Sequence, residues 1–226
     1  MKTPLIAVKS CFEYRYEPSD VGAAHRNGKD ELRSKSIRDT WYKDWEKVSD
    51  QISLKFFYGL PPEGGAFLEE NSIILECPDD YPNLPLKTRG IFEWALDSGY
   101  ESVLLCDDDI YVWIFRILAD IQTWQTPPTY RGHSNGWFCS GAAYWINRYA
   151  MECVLMEPWK KEQWAEDQHC GKCLEKHGIT PEHDDRYIAC PCDICLKKID
   201  LGKRLTQLTS NPQQMYDLHN ATVRTV

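Results

Sequence analysis

Three consecutive carboxylates, Asp107, Asp108 and Asp109, close an apolar run that begins at Val103-Leu104-Leu105-Cys106 and resumes at Ile110-Tyr111-Val112. Adjacent acids repel one another and lose hydration when partly buried, so at the mouth of a core strand they call for a neutralising cation. Hard oxygen donors suit magnesium or manganese, ions that also hold the phosphates of a nucleotide. The bland alternative is a solvated acidic turn, since strands often end in Asp-rich turns. A second constellation is Cys170-x-x-Cys173 followed by Cys192-x-x-Cys195, with Cys190 adjacent. Thiolates paired in this way can close a tetrahedral structural zinc site, while buried free thiols account for the same residues without metal.

The chain that carries these residues has 226 residues and a formal net charge of -8. That length fits one large or two small domains, and 42% hydrophobic content can fill a core. An acidic balance argues against broad binding to nucleic acid, whose phosphates would be repelled, and favours neutral or metal-bridged ligands. Nine Trp and twelve Tyr offer flat faces suited to sugar rings, although such residues commonly fill cores. No stretch approaches the roughly 18 to 20 apolar residues of a membrane span. The short run Pro4 to Val8 reads as a first strand, too short for a signal peptide, so a cytoplasmic location with reduced cysteines is expected.

The elements that must position these groups alternate. Apolar runs at Pro4 to Val8, Ile52 to Tyr58, Ser72 to Leu75, Ser102 to Cys106 and Ala142 to Ile146 predict strands. Between them, Leu32, Ile37, Trp41, Trp45 and Val48 predict one helix over Lys29 to Val48, and Leu86, Ile91, Trp94, Ala95 and Leu96 predict another. Alternation of this kind is the pattern of an α/β fold. Residues Gly59 to Gly65 and Gln125 to Asn135 read as loops from their Pro, Gly and Asn content. Neither a G-x-G-x-x-G turn nor a G-x-x-x-x-G-K-[ST] loop is present, so any nucleotide phosphates must be held by other means. A metal on the acid triplet is one such means, because it bridges phosphate oxygens and stabilises charge on a departing diphosphate.

Five blocks, in order, resemble the galactosyltransferase and Fringe-type family of β-1,3-glycosyltransferases. Ser36-Ile37-Arg38-Asp39-Thr40-Trp41 is similar to the family's I-R-x-T-W block, and Asp80 to Thr88 (D-Y-P-N-L-P-L-K-T) to its D-x-Y-x-N-L-x-x-K-T block. The acid triplet follows. Trp137 to Tyr144 (W-F-C-S-G-A-A-Y) resembles Y-x-S-G-x-x-Y, and Glu166 to Leu174 (E-D-Q-H-C-G-K-C-L) resembles E-D-V-x-x-G-x-C-L. The resemblance spans about residues 36 to 179 and implies a GT-A fold, with a catalytic domain over 1–180 and a Cys-rich C-terminal extension over 181–226 completing it. It also implies transfer of a sugar from a nucleotide diphosphate, usually UDP, to an acceptor hydroxyl of a glycan with inversion at the anomeric carbon.

An acceptor hydroxyl must lose its proton as it attacks, and the resemblance implies that Asp167 is the general base, with Glu166 orienting it or binding acceptor. Without the resemblance, the pair equally suits a helix N-terminus. For the metal, Mn2+ or Mg2+, the family position points to Asp109 as direct ligand, with Asp107 or Asp108 on ribose or metal-bound water. Family members usually add a histidine ligand near the C-terminus. Here Leu205 to Pro212 has none, and His219 is the candidate substitute, against a solvent-exposed reading. Arg38 and Lys87 are candidates for phosphate or base contacts, or for pairing with local acids such as Asp39 and Asp80. Gly141 admits close approach of a ligand or strand, and Trp137 either stacks on an acceptor sugar or simply packs.

Two other function classes remain. A glycosyltransferase acting on modified nucleic-acid bases, as some viral enzymes do, would need a basic face, for which Lys197, Lys198, Lys203 and Arg204 are the compact candidates. A noncatalytic carbohydrate-binding module would bind glycan without turning over a nucleotide sugar.

Overall fold

The computed structural model describes residues 2–12, 33–61, 69–159, 165–190 and 200–223. Its centre is a mixed seven-stranded sheet in the order β3-β2-β1-β4-β7-β6-β8, formed by β1 (Leu5–Lys9), β2 (Ser53–Tyr58), β3 (Ser72–Ile74), β4 (Ser102–Asp107), β6 (Tyr130–Ser134), β7 (Cys139–Asn147) and β8 (Glu182–His183). Strands β3, β2, β1 and β4 run parallel, and β7 then enters antiparallel to β4. A smaller sheet joins β5 (Ile110–Val112), β10 (Thr206–Leu208) and β9 (Tyr187–Ile188) in the order β5-β10-β9.

Strand β1 is buried along all five residues, as expected for a parallel strand covered on both faces. Its side chains alternate between two cores, the period of two that a pleated strand imposes. Ile6 and Val8 join Leu54, Phe56 and Leu104 beneath α1 (Arg33–Asp39), α2 (Trp41–Glu46) and α4 (Ile114–Ile121), contributing Ile37, Trp41 and Ile117. Leu5 and Ala7 join Phe57, Val103 and Leu105 against α3 (Leu84–Asp97), α5 (Arg148–Met156) and α6 (Glu166–Lys176). A last helix, α7 (Pro212–Val223), sets Met215 into the first core. The architecture is therefore helix, sheet, helix in three layers.

Two expected elements differ. The single helix over Lys29 to Val48 divides at Thr40, whose backbone leaves helical geometry (φ -119°, ψ -108°) while its Oγ1 donates to the Ser36 carbonyl at 2.6 Å. A threonine that bonds back to position i−4 competes with the helix in this way; residues 29–32 lie outside the described residues. The expected loop from Gln125 to Asn135 contains β6. Its Gly132 lies so close to β7 that a Cβ would stand 2.8 Å from the Ala143 carbonyl oxygen, so glycine here serves strand contact rather than a break. Of the expected loop Gly59 to Gly65, residues 62–65 lie outside the described residues.

Candidate functional site

The site forms at the carboxyl ends of β1 and β4, where parallel strands of an open α/β sheet leave a crevice. Lys9 and Asp107 are register partners there. The Lys9 Nζ lies 3.1 Å from Asp107 Oδ1, 2.9 Å from Glu166 Oε2 and 3.1 Å from the Gly141 carbonyl oxygen. Three contacts use all three donors of an ammonium group. Burial alone would discharge this lysine, but the Asp107 and Glu166 carboxylates outweigh it and raise its pKa above the ordinary value.

Next along β1, Ser10 donates from Oγ to Asp108 Oδ2 at 2.8 Å. Asp108 and Asp109 are buried, whereas the Asp107 side chain is 35% exposed at the mouth. The turn between β4 and β5 is fixed from two sides. Trp41 Nε1 donates to the Ile110 carbonyl at 3.0 Å, and Thr209 donates to the Asp109 carbonyl from its amide at 2.9 Å and its hydroxyl at 2.7 Å. A small crevice between them is lined by Ser36, Asp108, Asp109, Thr209, Ser210 and Asn211.

Opposite the triplet, Glu166 and Asp167 open the first turn of α6, where carboxylates also favour the positive end of the helix. Glu166 is buried, with Oε1 accepting from Tyr144 OH at 2.6 Å and Oε2 facing Lys9; burial pushes its pKa up, and the lysine partly offsets that. Asp167 is half-buried, and its Oδ2 accepts from the Gly141 amide at 3.1 Å. A Cβ on Gly141 would stand 2.8 Å from Glu166 Oε2, so only glycine lets the helix end sit this close to β7.

Asp107, Gly141, Glu166 and Asp167 are thus brought together around Lys9, Asp108 and Asp109 line the crevice beside Ser36 and Thr209, and other candidates are placed elsewhere. Lys87 is buried with Nζ 2.6 Å from the Ser10 carbonyl oxygen and 2.5 Å from Asp79 Oδ1, so it holds the end of β1 from behind. Arg38 pairs through Nε with Glu69, donates to the Glu70 carbonyl at 3.0 Å and lies over Phe56, its guanidinium carbon 4.3 Å from the ring centre. His219 Nδ1 is 3.0 Å from Tyr111 OH and 3.9 Å from Asp44 Oδ2, and the imidazole does not line the crevice beside Asp109. Trp137 is 37% exposed and lies against α6 at Gly171, one turn beyond Asp167.

Cys170 and Cys173 are buried free thiols on α6; Cys192 and Cys195 lie outside the described residues. Burial raises both thiols, Cys173 to about 11. Of the basic candidates, Arg204 is buried and donates to Gln207 at 2.6 Å, so it contributes nothing to a basic face, and Lys197 and Lys198 lie outside the described residues.

The donor chemistry around Asp109 fits magnesium or manganese: carboxylate, hydroxyl and amide oxygens, with no imidazole or thiol among the crevice residues. Among the described residues no group of three His, Cys, Asp or Glu side chains is arranged to hold a metal ion.

Sequence reasoning missed Lys9, Ser10, Asp79 and Tyr144. Lys9 carried one signal, a lone charge ending an otherwise apolar strand at the edge where α/β sheets bind ligands.

No protein-family model matches the sequence, and no curated protein matches it. Among solved structures, the chain is similar to a glycosyltransferase involved in the glycosylation of the major capsid of PBCV-1. That alignment has a TM-score of 0.51 and 12% identity, over 96% of this chain and 98% of that one. The likeness is one of fold. A protein classed provisionally as a nucleotide-diphospho-sugar transferase, from Desulfovibrio desulfuricans G20, aligns over 81% of this chain and 80% of that one, with a TM-score of 0.48 and 14% identity. The chain is thus a mixed α/β protein that resembles the PBCV-1 capsid glycosyltransferase in fold. Among the described residues no helix is long and apolar enough to cross a membrane.

Proposed function

We propose that the protein is a metal-dependent inverting glycosyltransferase that moves a sugar from a nucleotide diphosphate, UDP first among donors, to a hydroxyl of a glycan acceptor. The observation that carries this reading is the meeting of Asp107, the first acid of the triplet, with Glu166 and Asp167 around Lys9 and Gly141, at the carboxyl edge of a sheet whose fold resembles that of a glycosyltransferase.

Asp109 is the proposed metal ligand, with Asp107 or Asp108 the proposed contact to ribose or metal-bound water. A divalent ion bound there would bridge the diphosphate and stabilise the charge of the leaving group. Asp167 is the proposed base: its carboxylate is reachable and oriented by the Gly141 amide, so it can take the acceptor proton as that oxygen attacks the anomeric carbon. Both Glu166 oxygens are engaged within the fold, which fits the orienting role better than acceptor contact. Trp137, exposed one helical turn from Asp167, is placed to stack on an acceptor pyranose. Arg38 and Lys87 could reach the nucleotide only by exchanging their present partners, and the same holds for His219 and the metal. A structural zinc on Cys170, Cys173, Cys192 and Cys195 is a separate proposal, read out by metal analysis of the purified protein.

Calorimetric titration with UDP, first with manganese and then with EDTA, is the direct test. UDP binding that manganese supports and EDTA removes is expected. Silence under both conditions, and with GDP, CMP and dTDP as well, would leave the noncatalytic carbohydrate-binding reading.

A further inference from the structure

We propose that Lys9 is a positioning residue that sets the spacing between the nucleotide-side carboxylate Asp107 and the base Asp167; this rests on the function proposed above. The connection is short. From Asp107 Oδ1 the path runs 3.1 Å to Lys9 Nζ, then 3.1 Å to the Gly141 carbonyl, and the same Gly141 residue donates its amide to Asp167 Oδ2 at 3.1 Å. A parallel arm runs 2.9 Å from Lys9 to Glu166, the chain neighbour of Asp167.

Simple neutralisation of a buried charge would ask less of this residue. One carboxylate per lysine suffices for that, as Lys87 and Asp79 show on the back of the same strand end. Lys9 instead joins one partly exposed acid of β4, one buried acid of α6 and a carbonyl of β7, three elements distant in the chain. It ends the central parallel strand, which pairs with β2 on one side and β4 on the other, so its Cα cannot drift. A fixed anchor with three directed donors holds the donor side and the acceptor side of the crevice at one separation.

The test compares Lys9→Met/Glu166→Gln with Glu166→Gln alone, because the double variant removes the lysine without stranding a buried carboxylate. UDP affinity is measured by calorimetry with manganese. Turnover is measured as UDP release from UDP-glucose, UDP-galactose and UDP-N-acetylglucosamine at saturation, with water as acceptor. Loss of positioning predicts a fall in kcat of about 100-fold, the scale of an ångström misplacement, with UDP affinity within about threefold. A kcat within about threefold of Glu166→Gln would overturn the proposal and leave Lys9 as a neutralising charge. Parallel collapse of UDP affinity would also overturn it, by making Lys9 part of donor binding.

If the double variant does not fold, Lys9→Arg carries the comparison against wild type, since a planar fork keeps the charge but cannot reproduce three tetrahedral contacts. Positioning then predicts lower kcat at unchanged UDP affinity, and neutralisation predicts no change. Absence of turnover by the wild-type protein with every nucleotide sugar sinks the parent reading and this inference together, and is recognised before any variant is made.

Discussion

The Gly141 amide donates to Asp167 Oδ2 across 3.1 Å, from a strand position where a Cβ would stand 2.8 Å from Glu166 Oε2 and 3.4 Å from Asp167 Cβ. Gly141→Ala therefore has to displace the Glu166 carboxylate from its place between Tyr144 and Lys9. Overpacking of this kind costs about 1–3 kcal/mol. Turnover is expected to fall by more than the stability loss explains, about 100-fold, because the displaced Glu166 carboxylate no longer orients the neighbouring base. Thermal unfolding and UDP release measured on one preparation check this, and full activity in a folded variant would contradict it.

Asp109 and Asp167 divide the work under the proposed mechanism. Asp109→Asn is expected to weaken UDP binding and its dependence on manganese together, since a neutral amide is a poorer ligand for a hard cation. Asp167→Asn is expected to keep UDP affinity and lose turnover by about 100- to 10,000-fold, the range for removal of a general base. Calorimetry and a rate assay on both variants decide it. Equal losses of binding would undo the division.

Lys87 is a structural prediction in contrast. Its ammonium meets Asp79 at 2.5 Å, and both side chains are buried. Lys87→Met would leave Asp79 charged and without that partner, although its Oδ1 also accepts from the Gly59 amide and its Oδ2 from the Phe12 amide. Breaking a buried pair from one side costs about 3–5 kcal/mol. Denaturant unfolding is expected to report that loss, with UDP affinity largely kept in the folded fraction. Retained stability with lost UDP affinity would instead return Lys87 to a phosphate contact.

Much of this site was legible in the residues themselves. Asp107 to Asp109 announced a strand end because three acids interrupt two apolar runs, and Glu166-Asp167 announced a helix start because acids prefer that end. Strands β1, β2, β4 and β7 were legible because buried strands leave continuous apolar runs. Lys9 showed only as a lone charge ending an apolar strand, a signal that cannot tell a lysine reaching solvent from one whose three partners lie at least 98 residues away. Strand β6 was hidden because Gly132 signals a turn by composition and a close strand contact only in three dimensions. For Lys87 and Arg38 the sequence left a ligand contact and pairing with a local acid both open, and the structure pairs them with Asp79 and Glu69, neither of which the sequence singled out.

Asp184 offers a pH test away from the site. Burial would raise its carboxyl, but hydrogen bonds and charge from Arg186, with Arg131 nearby, hold it below the ordinary value. A depressed folded pKa contributes stability that is complete above the unfolded value, about 3.9, and is lost as pH falls toward the folded one. Asp184→Asn is therefore expected to be less stable than wild type by about 1–3 kcal/mol near neutrality. The gap should begin to narrow below about pH 4 and close as pH falls through the lower folded value, where the wild-type carboxyl also takes up a proton. Unfolding curves from pH 3 to pH 7 check the sign; a gap independent of pH would assign the loss to packing.

The central place of β1 also dictates when the site can exist during folding. Ser10 meets Asp108 across 98 positions, and Lys9 meets Gly141 across 132 and Glu166 across 157. Closing such long loops is entropically costly before any contact rewards it, and folds dominated by distant pairings form slowly. During synthesis Lys9 meets its first counter-charge once Asp107 is made, but its full set of contacts waits for β7 and then for α6.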